Sequence, residues 1–102
     1  MREHMLFALN ELVGGWVQTR DALALAYDDY SEGRAHAYIE ALENYDDLAM
    51  FSGETELEAQ IDELIHKCEV VPTAYTKYGE GYRVGMSEVA DDLRTMRNLI
   101  FS

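Results

Sequence analysis

The chain has 102 residues, of which 48% are hydrophobic, and its formal net charge at pH 7 is −12. This length suits a single domain over residues 1–102, and the apolar fraction excludes a disordered acidic tail. The acidic excess argues against direct binding to nucleic acid or to an anionic membrane, because both attract Lys and Arg. No apolar run reaches the ~18 residues of a membrane span. No secretory signal is recognisable, so we expect a cytoplasmic protein.

The excess charge is concentrated in the middle of the chain. Residues 28–69 contain thirteen acidic and two basic residues, whereas residues 1–27 carry a net charge of −1 and residues 70–102 a net charge of 0. A block of this kind produces a local field that attracts cations or a basic protein surface. The charge pattern therefore indicates the kind of partner rather than a reaction.

The spacing of apolar residues predicts a helix over 3–13. The glycine pair at 14–15 predicts a break or bend, because two glycines inside a helix cost ~2 kcal/mol relative to alanine. Strands on either side of this pair are the alternative. A second helix is predicted over 16–30, followed by a turn at 31–33 whose serine caps the next helix.

Two amphipathic helices are predicted for the acidic block. The first covers 34–51 and has an acidic outer face. The second opens with a capping-box pattern, Thr55 with Glu58, and continues to residue 69. Its apolar stripe predicts five buried side chains, the last of them a structural thiol: Leu57, Ile61, Leu64, Ile65 and Cys68.

The C-terminal third combines a tyrosine- and glycine-rich stretch with a final helix. Residues 73–84 predict a short β-hairpin or an ordered loop, and a helix is predicted from Ser87 to Ile100. The predicted fold is therefore mostly α, a single compact domain of four to five helices with a short hairpin. The alternative is an α+β fold with N-terminal strands.

The sequence predicts no catalytic residues, no cofactor and no metal site. Cys68 and His66 are two residues apart, so on a helix their side chains diverge by about 200° and cannot form a dyad. Glu63 and His66 match the Glu-x-x-His spacing of di-iron bundles, but that design needs a second motif and further carboxylates. A small helical enzyme or metal protein centred on this pair is the competing hypothesis.

The triplet Tyr-Asp-Asp occurs twice, at 27–29 and at 45–47. Tyrosine gives a large contact area at interfaces, and the carboxylates around it would meet Arg and Lys on a partner. A plain solvated surface is the alternative interpretation. The predicted partner-binding residues are Tyr27, Asp28, Asp29, Tyr30, Glu32, Glu40, Glu43, Asp46, Asp47, Glu54 and Glu58.

Two stretches resemble the ArdA-type antirestriction proteins. Residues 10–17, NELVGGWV, resemble the N-terminal pattern of that family, in which Asn-Glu-Gly precedes Leu-x-Gly-x-Trp. Residues 40–46, EALENYD, resemble its short acidic aromatic segment, which usually ends in Asp-Tyr-Glu. The resemblance implies strands over 10–17 and a protein of a phage, plasmid or transposon that mimics DNA charge in the groove of a restriction–modification enzyme.

The hypothesis that follows is a non-catalytic, acidic interaction protein whose partner is a basic protein surface. The leading version is an inhibitor that mimics DNA and blocks a nucleic-acid-binding defence enzyme of the restriction–modification or CRISPR type. An immunity protein that neutralises a basic nuclease toxin has the same physical requirements and is the first alternative. A helical structural or oligomeric phage protein is the second, and a homodimer is left open.

Overall fold

The computed structural model of the chain describes residues 2–50, 53–72 and 74–101. Within these ranges the chain forms five helices: α1 (Arg2–Leu23), α2 (Asp29–Glu43), α3 (Tyr45–Ala49), α4 (Glu54–Glu69) and α5 (Lys77–Phe101). The prediction of a mostly helical fold is confirmed. The predicted helix end at Phe51 and the predicted hairpin start at Thr73 lie outside the described residues. None of the helices described here combines the length and the apolar character that a membrane span requires.

The helices α2 and α5 run side by side in the same direction. Gly33 of α2 meets Tyr78 of α5, and Ala37, one turn later, meets Gly85. The helix α1 is antiparallel to both of them. Its indole at Trp16 donates a hydrogen bond of 3.1 Å to Asp92 of α5. The helix α4 covers another side of α5, so α5 contacts α1, α2 and α4.

One apolar core holds these helices together. Trp16, Leu9 and Met5 of α1 are at most 1% exposed and lie in the same cluster as Leu93 of α5. Full burial of such a side chain contributes about 1.5–3 kcal/mol. The apolar stripe predicted for α4 is confirmed, because all of its members are buried: Leu57, Ile61, Leu64, Ile65 and Cys68.

The predicted hairpin over 73–84 is wrong for its described part. From Lys77 onward the chain is one continuous helix, α5, so the final helix begins ten residues earlier than Ser87. The glycines that suggested a turn are instead contact positions. A Cβ atom on Gly81 would overlap the carbonyl oxygen of Tyr30, and one on Gly33 would overlap that of Tyr78. The absence of side chains lets the backbones of α2 and α5 approach closely.

The predicted break at Gly14-Gly15 is also wrong. The helix α1 continues through both glycines, and a Cβ atom on either would meet nothing within 4 Å. Nothing in the structure explains why glycine occupies these positions. The N-terminal strands of the alternative fold, and those that the family resemblance implies for 10–17, are replaced by this helix.

Two predicted helix starts differ from the observed ones. The turn at 31–33 is part of α2, which begins at Asp29 and is capped by Asp28 rather than by Ser31. The helix α4 begins after Gly53 without a side-chain cap, so the capping box of Thr55 and Glu58 does not form. The predicted helix over 34–51 is interrupted at Asn44, whose side-chain amide donates to the carbonyl oxygen of Glu40 at 2.8 Å.

Candidate partner-binding surface

Three exposed carboxylates lie along one side of α2. Asp29, Glu32 and Glu43 are all exposed, and at 100° per residue they fall within about 60° of arc. Ala37 and Ala41 occupy a different side of the helix and are buried. At 1.5 Å per residue the three carboxylates span about 21 Å along the axis. We call Asp29, Glu32 and Glu43 the acidic stripe.

The acidic stripe is not neutralised by the part of the chain that the structure describes. Within the described ranges, none of its three carboxylates has a hydrogen bond or an ion pair. Asp46 in α3 and Glu54 at the start of α4 are exposed and have no such contact with a described residue either. Arg34 on α2 is used elsewhere, because its guanidinium donates two hydrogen bonds of 2.6 Å to Glu88 of α5. The stripe is therefore available to cations of another molecule.

Asp28 has a structural task at the start of α2. Its carboxylate accepts the backbone N–H of Ser31 at 2.8 Å and the hydroxyl of the same serine at 2.9 Å. These hydrogen bonds, the backbone one first, lower the pKa of Asp28 below its usual value. Asp28 is exposed, but a substitution here would also remove the helix cap.

Glu40 belongs to a hydrogen-bonded network between α2 and α5. Its carboxylate accepts the hydroxyl of Tyr82 and lies 3.1 Å from Nε2 of His36. The hydroxyl of Tyr78 is 2.5 Å from Nδ1 of the same histidine. Burial, followed by the hydrogen bond with Glu40, raises the pKa of Tyr82. Sequence reasoning missed this network because it assigned both tyrosines to a hairpin.

The acids on one side of α4 are neutralised by α5. Arg97 places Nη2 2.8 Å from Glu58 and Nε 2.6 Å from Asp62, the latter without the alignment of a hydrogen bond. Arg94 pairs with Glu69 at 2.9 Å. Glu58 was predicted to bind a partner, but it is already paired within the chain.

The remaining predicted residues divide by exposure. The side chain of Tyr27 is 94% exposed in the connection between α1 and α2. Tyr30 is half-buried near the start of α2, where its carbonyl oxygen lies against Gly81. The side chain of Asp47 lies outside the described part of the structure. Tyr27 therefore lies two residues before the first carboxylate of the acidic stripe and is free to contact another molecule.

The residues that the structure describes do not complete either of the competing sites considered from the sequence. Glu63 and His66 are both exposed on α4, and Glu63 lies 3.5 Å from the amino group of Lys67. The residues that the structure describes contain no group of three or more His, Cys, Asp or Glu placed to hold a metal. Cys68 is buried, and this burial raises the pKa of its thiol to about 11, so the reactive thiolate is disfavoured.

In comparisons with known proteins, no family model, no curated protein and no solved structure matches the chain. The family resemblance of residues 10–17 and 40–46 therefore stays a hypothesis.

Proposed function

We propose that this protein is an acidic inhibitor that mimics the charge of DNA and occupies the DNA-binding groove of a nucleic-acid-binding defence enzyme. The observation that supports this function is the acidic stripe, which is exposed and unpaired among the described residues. Carboxylates aligned on one exposed side of a helix present several negative charges to a single basic surface at once.

The dimensions of the stripe suit a groove built for DNA. One strand of B-DNA rises 3.4 Å per phosphate, so the stripe of about 21 Å covers roughly six base pairs of backbone. Lys and Arg that normally contact phosphates in such a groove would meet Asp29, Glu32 and Glu43. Because carboxylates replace phosphates, we expect the inhibitor and duplex DNA to compete for the enzyme, and the affinity of the inhibitor to fall steeply with salt.

Competition with duplex DNA tests this function directly. A fluorescently labelled duplex is bound to a purified restriction–modification enzyme, and in a second series to a purified CRISPR effector complex. The protein is then titrated in while anisotropy is recorded at several salt concentrations. The triple variant Asp29→Lys, Glu32→Lys and Glu43→Lys should compete at least about 30-fold more weakly, which corresponds to about 2 kcal/mol.

The matched control reverses three exposed acids that are not on α2: Glu63, Glu80 and Asp91. It changes the net charge by the same amount and also creates small local repulsions within its helices. If both variants weaken equally, only the net charge matters and the proposed surface is wrong. If the wild-type protein displaces DNA from neither enzyme but inhibits a basic nuclease, the immunity-protein alternative is correct instead.

A further inference from the structure

An apolar groove lies between the first half of α1 and the C-terminal part of α5. It has a volume of about 450 Å³, and its lining includes Phe7, Ala8 and Leu12 of α1 with Met96 and Leu99 of α5. Phe7 is 64% exposed and Leu99 is 71% exposed. Large apolar side chains gathered at one place on a surface are typical of contacts with another molecule.

Met96, Ala8 and Leu12 of the groove belong to the core or pack against it, but folding of the chain does not account for the exposed Phe7 and Leu99. Met5 and Leu9 of α1 are buried in the core, and they already hold α1 against the rest of the protein. Phe7 lies between them in sequence but on the outward side of the helix. The groove thus extends the apolar core to the surface of the protein, where Phe7 and Leu99 are exposed.

Two polar residues flank Phe7 at helical spacing. His4 precedes it by three residues and Glu11 follows it by four, so all three share one side of α1. His4 and Glu11 are both exposed and both line the groove. An imidazole N–H and a carboxylate therefore lie on opposite sides of the apolar centre.

We propose that the groove is occupied by a second copy of this chain, related by a twofold axis. In an antiparallel contact between two α1 helices, the numbers of any two residues that lie opposite each other add up to the same total. An axis that passes between Phe7 and Ala8 places His4 of one copy opposite Glu11 of the other, and the reverse pair forms by symmetry. A twofold contact requires such a self-complementary surface, with each group of the pair present on both copies.

The distribution of charge favours a second copy at this place. The elements that form the groove belong to residues 1–27, with a net charge of −1, and residues 70–102, with a net charge of 0. Residues 28–69 carry the other eleven negative charges. Two strongly acidic molecules can approach each other where their charge is balanced. A basic partner is attracted to the acidic stripe instead, so the dimer and the proposed function use different surfaces.

The mass in solution tests the proposal. Sedimentation velocity and light scattering should show a concentration-dependent transition from 11.6 kDa to twice that mass as the protein concentration rises to about 100 μM, which corresponds to association of the order of −5 to −6 kcal/mol. Phe7→Asp should weaken association at least tenfold. The control is Val70→Asp, because Val70 is 61% exposed but lies outside the groove, and this variant should associate like the wild type.

A charge exchange tests the twofold arrangement itself. His4→Glu places carboxylates opposite each other and should weaken the dimer, whereas His4→Glu combined with Glu11→His restores both pairs and should recover most of the affinity. A wild-type protein that stays monomeric at 500 μM would overturn the proposal and leave the groove to a different protein. A dimer that Phe7→Asp leaves intact would overturn it as well. Neither result affects the DNA-competition experiment, because the stripe variants leave α1 unchanged.

Discussion

Substitution of Gly81 by alanine tests whether the close contact between α2 and α5 determines the stability of the fold. A Cβ atom at Gly81 would overlap the carbonyl oxygen of Tyr30, lie 2.8 Å from the carbonyl carbon of that residue and lie 3.0 Å from the backbone nitrogen of Arg34. These are backbone atoms of a helix, so no side-chain rotation relieves the overlap. The two helices have to separate.

The expected cost follows from two opposing effects. Alanine in a helix interior is favoured over glycine by about 1 kcal/mol. Overpacking at a tight contact costs about 1–3 kcal/mol, and a forced backbone shift belongs to the upper part of that range. Separation of the helices would also loosen the packing of Gly85 against Ala37, where a Cβ atom on Gly85 would lie 2.6 Å from the Cβ atom of Ala37. We therefore expect Gly81→Ala to lower the free energy of unfolding by about 1–2 kcal/mol.

Urea and thermal unfolding followed by circular dichroism measure this difference. For a chain of this size, 1 kcal/mol shifts Tm by roughly 4–8 °C. The matched control is Gly15→Ala in α1, where the new methyl group meets nothing within 4 Å. This control should gain up to about 1 kcal/mol from helix propensity alone. If both variants shift stability in the same direction, the contact does not have the importance that its geometry implies.

Two further predictions concern side-chain contacts between helices. Tyr82→Phe should cost about 1 kcal/mol in unfolding free energy, because the carboxylate of Glu40 loses its hydroxyl donor. The control is Tyr75→Phe, which should cost almost nothing because Tyr75 is 92% exposed. The pKa of Asp92 is raised above its usual 3.8, chiefly by burial and against the hydrogen bond from Trp16. The wild type should therefore lose stability relative to Asp92→Asn as the pH rises from 3.8 through the folded-state pKa. Urea unfolding of both proteins from pH 3 to 7 measures this, and a difference in unfolding free energy that does not vary with pH would contradict the prediction.

The buried face of α4 was predictable from the sequence. Apolar residues at helical spacing identify the side of a helix that must be removed from water, and no knowledge of the neighbouring helix is needed. All five members of the α4 stripe are buried, including Cys68. For the same reason the helical class of the fold followed from the pattern of apolar residues over most of the chain.

The glycines of α2 and α5 show what such patterns cannot supply. Gly33, Gly81 and Gly85 have the local character of helix breakers, and sequence reasoning placed turns at the first two. Their role depends on a helix about fifty residues away, whose backbone occupies the space that a side chain would need. This information exists only in the tertiary contact. The network of Glu40 with Tyr78 and Tyr82 was missed with them.

Charge counts have a similar limit at the acidic surface. By sequence, Glu58 and Glu32 contribute equally to the acidic block, but Arg97, 39 residues after Glu58, pairs with it at 2.8 Å. A cationic partner that bound Glu58 would have to displace Arg97 and would leave that guanidinium without its carboxylate. No such exchange is needed at Glu32, whose carboxylate has no partner among the described residues. Ion pairs that a partner forms on α2 therefore add to the ion pairs of the free protein. On α4, ion pairs with a partner would largely replace those that the free protein already has. This difference makes α2 the surface to test.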